Sequence, residues 1–92
     1  MNAMVEIPSA LQKYVGSQRT VEVPPGTVLQ AFNALISKHA GLKEQIFDEQ
    51  GRVRSFVNIY VNDEDIRHGK NLDTEIKSGD VVAIVPSIAG GQ

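Results

Sequence analysis

The stretch VVAIVPSIAGGQ, residues 81–92, decides how the rest of the chain is read. Val81 to Val85 are apolar at every position, as expected for a strand flanked on both sides in the middle of a sheet. Pro86 has no amide hydrogen to give to a ladder and ends that strand sharply. Extended, Ser87 to Gly91 spans about 16 to 18 Å at roughly 3.3 to 3.6 Å per residue. That length is enough to thread the active-site channel of an enzyme. Gly90 and Gly91 bring no side chain to clash there, accept backbone angles closed to other residues, and leave the Gly91 carbonyl carbon uncrowded for attack. Fraying is the ordinary fate of last residues, so the meaning of this ending depends on what precedes it.

Upstream, SFVNIYVN at residues 55–62 alternates with a period of two: Val57, Ile59 and Val61 share one face, while Phe56, Asn58, Tyr60 and Asn62 share the other. Val5 and Ile7 alternate with Met4 and Glu6, and Val21 and Val23 stand opposite Glu22, so two half-buried strands are expected to open the chain as a hairpin, with VGSQ as its turn. The period then becomes helical. Val28, Ala31, Phe32, Leu35 and Ile36 fall on one face. Thr27 with Gln30 fits a capping box at the start, Lys38 and His39 suit the negative pole, and Gly41 is read as a left-handed helix stop. LKEQIF predicts a short helical turn, DEQGR a loop, DEDIRHGKN a turn with a short strand, LDTEI a single helical turn and KSGD a tight turn. Alternation divides the last strand into two faces, Val82 and Ile84 on one and Val81, Ala83 and Val85 on the other. The order is strand, strand, helix, strand, short strand, strand, in the α+β class. A single main helix must cover one face of the sheet, because neither element buries its apolar side alone.

Ninety-two residues supply one core and no second domain. The expected division is a folded body over residues 1–86 and a tail over 87–92. With 41% hydrophobic and 22% charged residues, the chain is neither disordered nor membrane-embedded in composition, and no apolar run is long enough to span a bilayer. No secretory leader is legible in MNAMVEIPSALQKYV, so a cytoplasmic location is expected. The absence of cysteine excludes disulfides, thiolate nucleophiles and the common zinc and iron–sulfur sites. A net charge of −2 leaves no electrostatic footprint for nucleic acid or anionic lipid, which points to protein partners.

Candidates for chemistry within the body are few. His39 near a helix end and His68 in a turn suit capping and solvated roles better than metal ligation. Asp63, Glu64 and Asp65 lack the alternating ligands, central glycine and distant glutamate of a calcium loop, and read as a solvated hairpin turn. HGKN lacks the glycine frame of a phosphate loop. Phe56 and Tyr60, opposite the buried valines, either pack on each other across a neighbouring strand or form a docking patch.

A glycine pair after a central strand, on a cysteine-free chain of this strand and helix order, resembles the ubiquitin-like sulfur carriers of the MoaD/ThiS family. PSIAGG at Pro86 to Gly91 is similar to the family's ending of proline, spacer, branched aliphatic, small residue and two glycines. RSFVNIYVNDEDIR, Arg54 to Arg67, resembles the corresponding stretch of the CysO-type carriers. The resemblance covers essentially the whole chain and implies a β-grasp fold: a mixed sheet of four to five strands with one main helix on one face. It implies a carrier rather than an enzyme, with no cofactor or metal of its own. An ATP-dependent activating enzyme of the MoeB/ThiF kind would join the terminal carboxylate to AMP, and sulfur would replace the adenylate to give a thiocarboxylate. A free carboxylate is a poor electrophile, and the mixed anhydride supplies the leaving group. The sulfur would then be anionic and nucleophilic near neutral pH.

By this match Gly91 would bear the thiocarboxylate, Ile88, Ala89 and Gly90 would enter the partner's active site, and Val85 would correspond to the outward residue shown to the activating enzyme. Val85, Phe56 and Tyr60, with Ile88, form the expected docking surface. Gln92 departs from the pattern, because active members end at the second glycine. Some relatives carry extra residues removed by a JAMM-type metallopeptidase, so Gly91 and Gln92 are the expected processing site, unless Gln92 is a remnant of expression. The sulfur acceptor would be an enzyme such as a sulfhydrylase making cysteine, homocysteine or a related metabolite. Two alternatives share the same tail: a ubiquitin-like modifier captured by target lysines, and the small subunit of a molybdopterin synthase.

Overall fold

The computed structural model of the protein describes residues 2–86. The expectations placed on Ile88, Ala89, Gly90, Gly91 and Gln92, and on a separate tail, lie outside these residues. Strand β1, Ala3–Glu6, is followed by a 3-10 helix over Ser9–Val15 and strand β2, Thr20–Val23. Strand β3, Gly26–Thr27, leads into helix α1, Val28–Lys38. A 3-10 turn at Ala40–Leu42 precedes helix α2, Lys43–Ile46. Strands β4, Val57–Val61, and β5, Glu64–Asp65, then form a hairpin. Two 3-10 turns, Ile66–His68 and Asn71–Asp73, connect it to β6, Glu75–Ile76, and β7, Val81–Pro86.

The main sheet has the order β2-β1-β7-β4-β5, so the last strand lies in the centre, as its apolar run predicts. Strand β7 runs parallel to β1 and antiparallel to β4, with Val82 facing Val5 on one side and Val61 on the other. A separate two-stranded ladder joins β3 to β6. The inward face carries Val5, Val57, Ile59, Val82 and Ile84, all buried against Val28, Ala31, Phe32 and Leu35 of α1 within one continuous core. Phe32 meets Phe47 edge to face, with ring centroids 6.1 Å apart at 78°, a geometry that sets the positive ring edge against the negative ring face. One helix laid across one face of a mixed sheet is the arrangement expected of a β-grasp domain.

The capping box of α1 forms as the sequence predicts. Thr27 Oγ1 accepts from the Gln30 amide at 3.1 Å, Gln30 Oε1 accepts from the Thr27 amide at 2.9 Å, and the Val28 amide donates to the Thr74 carbonyl at 2.9 Å. Three of the amides that a helix start leaves open are thereby satisfied.

Three local expectations are corrected. The β1–β2 hairpin is not closed by VGSQ alone, because Ser9–Val15 coils into a 3-10 helix that buries Leu11 and Val15 and ends at Gly16, φ 65°. The signals for it were present: Pro8 ahead, apolar residues four apart, and glycine after. Gly41 is not a left-handed stop. It lies in the 3-10 turn, and a Cβ there would stand 3.0 Å from Tyr14 Cδ1, so glycine serves a close approach between the 3-10 helix and this turn. LDTEI is divided between a 3-10 turn and strand β6, whose pairing with β3 brings together segments that lie far apart in sequence.

Candidate functional site

The root of the carboxyl-terminal segment is built by β7 and β4. Pro86, the last described residue, pairs with Val57, Val85 pairs with Asn58, and Ala83 pairs with Tyr60. Directly opposite residues of an antiparallel pair share a face, so Val85, Asn58, Ala83 and Tyr60 all lie on the side away from α1. The alternation expected for β7 holds: Val82 and Ile84 are buried, Val81 and Ala83 are half-buried, and Val85 is 44% exposed. Phe56, in the turn before β4, is 39% exposed, and Tyr60 is half-buried. Among the described residues the large hydrophobic side chains left this exposed are Val85, Phe56 and Leu29. Two of the three flank the point where the chain leaves the sheet, a bias toward one place rather than the single scattered exposures normal to any surface.

Of the two readings of Phe56 and Tyr60, the packed pair is not formed, since the ring contact among the described residues is that of Phe32 with Phe47. A polar network borders the patch instead. Asp65 stands opposite Tyr60 on β5, and Arg67 folds back from the following 3-10 turn. The Arg67 guanidinium donates to Asp65 Oδ2 from Nη2 at 2.7 Å and to Asn58 Oδ1 at 2.8 Å, while its backbone amide donates to Asp65 Oδ1 at 2.9 Å. Hydrogen bonding from the Arg67 side chain, and then from its amide, lowers the Asp65 carboxyl from 3.8 to about 2. The same pairing raises Arg67. The network therefore stays ionised and fixes Asn58 beside Val85. Sequence reasoning took Asp65 for part of a solvated turn and did not single out Arg67. No periodicity marks the pairing, because it depends on the turns that bring Arg67 back to Asp65 and Asn58.

The histidines and the acidic run carry no site. His39 is the C-cap of α1, His68 ends a 3-10 turn, and Asp63 sits in the β4–β5 turn at φ 72°. Among the described residues no cluster of three or more His, Asp or Glu side chains is placed to hold a metal ion, and no helix is long and apolar enough to cross a membrane.

The sequence model of the ThiS family matches residues 5–91, which takes in all of the sheet but the first two residues of β1, together with the patch and the Gly90–Gly91 pair. The chain belongs to the ThiS family. Sulfur carrier protein CysO of Mycobacterium tuberculosis is 40% identical over 93 residues, an alignment covering 99% of this chain and 100% of the relative. A chain of the Amycolatopsis orientalis BexX/CysO complex superposes with a TM-score of 0.89 at 39% identity, covering 97% of this chain and 99% of that one. Small archaeal modifier protein 1 of Haloferax volcanii is 30% identical over 84% of this chain and 87% of its own length. The ThiS-family fold is thus the β-grasp, and the chain is a homologue of sulfur carrier proteins. The family match ends at Gly91 and leaves Gln92 outside.

Proposed function

We propose that this protein is a cytoplasmic sulfur carrier, not itself an enzyme, whose Gly91 carboxylate is the reacting group once Gln92 has been removed. The observation that carries the reading is the family match that runs through the central strand to Gly91 and stops there. With Gln92 attached, the Gly91 carbonyl is an amide and offers no carboxylate for adenylation. A JAMM-type metallopeptidase cutting between Gly91 and Gln92 exposes it. A MoeB/ThiF-like enzyme then joins the carboxylate to the α-phosphorus of ATP with loss of pyrophosphate, and a sulfur nucleophile displaces AMP to leave the thiocarboxylate. An acceptor enzyme such as a sulfhydrylase takes the sulfur for cysteine, homocysteine or a related metabolite.

In this reading Ile88, Ala89 and Gly90 occupy the partner's channel while Val85, Phe56 and Tyr60 rest on its surface. A rigid body positions the arm, and the glycines pass a narrow channel because they carry no side chain, at a backbone-ordering cost that contacts with the partner must offset. The test is to incubate chains ending at Gly91 and at Gln92 with the cognate activating enzyme, ATP and a sulfur source, and to weigh the products. The Gly91 form should exchange one oxygen for sulfur and the Gln92 form should remain unchanged. Equal activation of both would refute the processing step, and no activation of either would refute the carrier role. Val85→Asp should slow activation by about tenfold or more, as loss of a central interface anchor does, with thermal stability unchanged because Val85 is not part of the core. Activation at the normal rate would remove Val85 from the docking surface.

A second reading is favoured by the 30% identity to small archaeal modifier protein 1. The same adenylate captured by a lysine amine gives an isopeptide-linked conjugate. The two outcomes differ in the mass spectrum, one as a sulfur-for-oxygen exchange and the other as a branched peptide.

A further inference from the structure

On the β5 side of the sheet lies a cleft of about 400 Å³, within the roughly 300 to 1,000 Å³ of pockets that hold drug-sized groups. Its floor is apolar, made by Val57, Ile59, Ile66 and Leu72. Val57 and Ile59 alternate away from Asn58 and Tyr60, so the floor lies on the opposite side of β4 from the Val85 patch.

The rim is cationic. Arg52, Arg54 and Arg67 line it, three of the nine Lys and Arg residues of the chain, against the one carboxylate of Asp65. Arg67 is neutralised by Asp65 at 2.7 Å, and the exposed Arg52 lies 3.8 Å from Asp48. Arg54 differs from both. Its Nε donates to the Glu44 carbonyl at 2.6 Å, which anchors the guanidinium, and it forms no ion pair among the described residues. A chain of net charge −2 thus holds beside an apolar floor an anchored cation with no direct ion pair, its charge shared only at longer range with Asp48.

We propose that this cleft docks an acidic peptide segment of a partner protein, with one bulky apolar side chain on the floor and a carboxylate on Arg54 and Arg52. Charge complementarity selects the occupant. A basic segment is repelled, and a nucleic acid needs a wide cationic track that a single small cleft on an acidic chain does not provide. The floor lies across β4 from the Val85 patch, so a second protein can hold the body while the first engages the carboxyl terminus. The proposal stands apart from the carrier chemistry, and its measurement uses no activating enzyme.

A displayed peptide library selected on the intact chain, followed by amide NMR titration with the enriched peptides, tests it. Acidic sequences around one large apolar residue should be enriched, should shift Val53, Arg54, Ile66 and Leu72, and should bind at least about tenfold more weakly to Arg54→Glu, as loss of a complementary charge at an interface does. Lys13→Glu, remote on the 3-10 helix, should leave binding unchanged. If Arg54→Glu fails to fold, Arg52→Glu at an exposed position carries the same charge test. Enrichment of basic or uncharged peptides, shifts confined to the face of Val85 and Tyr60, insensitivity to the charge reversals, or no enrichment at all overturns the proposal.

Discussion

Asn62 does three jobs in one position. With φ 50° it and Asp63, φ 72°, take the paired left-handed conformation of a two-residue hairpin turn between β4 and β5. Its side chain reaches β7: Nδ2 donates to Asp80 Oδ1 at 3.0 Å, and Oδ1 accepts the Val81 amide at 3.0 Å. Its own amide donates to the Val81 carbonyl at 2.8 Å. Asparagine tolerates the left-handed region and supplies both a donor and an acceptor, which explains the residue type. The other instructive residue is Asp65, whose carboxyl sits at about 2 in the folded chain against 3.8 for the free group. A folded value below the unfolded one stabilises the fold above about pH 4, and this contribution is lost as the pH falls toward 2. Asp65→Asn should therefore lower stability at neutral pH and flatten the acid limb of a stability-versus-pH curve. Asp48 and Asp80, held down by backbone amides of Arg52 and Lys77, supply a remaining slope of the same sign. An unchanged acid limb in Asp65→Asn would show that the Arg67 pairing contributes nothing to folding. None of these contacts was legible in the sequence, because each joins residues whose nearness depends on a turn type rather than on periodicity.

At the scale of elements, α1 was the most legible part of the chain because two independent signals agree there, an apolar face at helical spacing and a capping box. Thr27→Ala removes the side-chain half of that box and should cost about 1 kcal/mol in denaturant unfolding. The Gln30 side chain and the Val28 to Thr74 bond remain, so the helix should keep its length. A loss near zero would mean that the tertiary bond to Thr74 alone secures the start. The central strand was equally legible, since an unbroken apolar run ahead of a proline is too short for a buried helix and suits a strand covered on both sides. Its outward members are nevertheless only partly covered in the isolated chain, and Val85 is exposed. The β3–β6 ladder was illegible for a physical reason: two residues per strand carry no period, and the pairing follows from where α1 and the Asn71–Asp73 turn come to rest. Ser9–Val15 was legible in retrospect, but the strand alternation on either side competed with it.

For the molecule as a whole, the decisive feature is that the last strand completes the sheet. Strands β2 and β1 on one side and β4 and β5 on the other are joined only through β7. A chain ending at Pro86 should fold with the same core, and one ending at Asp80 should not, because the inward Val82 and Ile84 and both central ladders are missing. Amide spectra of the two truncations distinguish the outcomes, and a folded Asp80 form would show that the β1–β2 and β4–β5 halves associate unaided. Of the candidate site, the outward placing of Tyr60 and Val85 on β4 and β7 was legible from alternation. The Arg67 network and the arginine-rimmed cleft were not, since both are assembled across the β5 edge by turns.

The place of β7 also has a mechanical consequence. A pull on the carboxyl terminus along the strand runs nearly perpendicular to the hydrogen bonds that hold β7 to β1 and to β4. Such a load shears both ladders together instead of unzipping either one bond at a time. A pull applied beyond Pro86 is therefore borne by both ladders at once, and the domain keeps its shape under it.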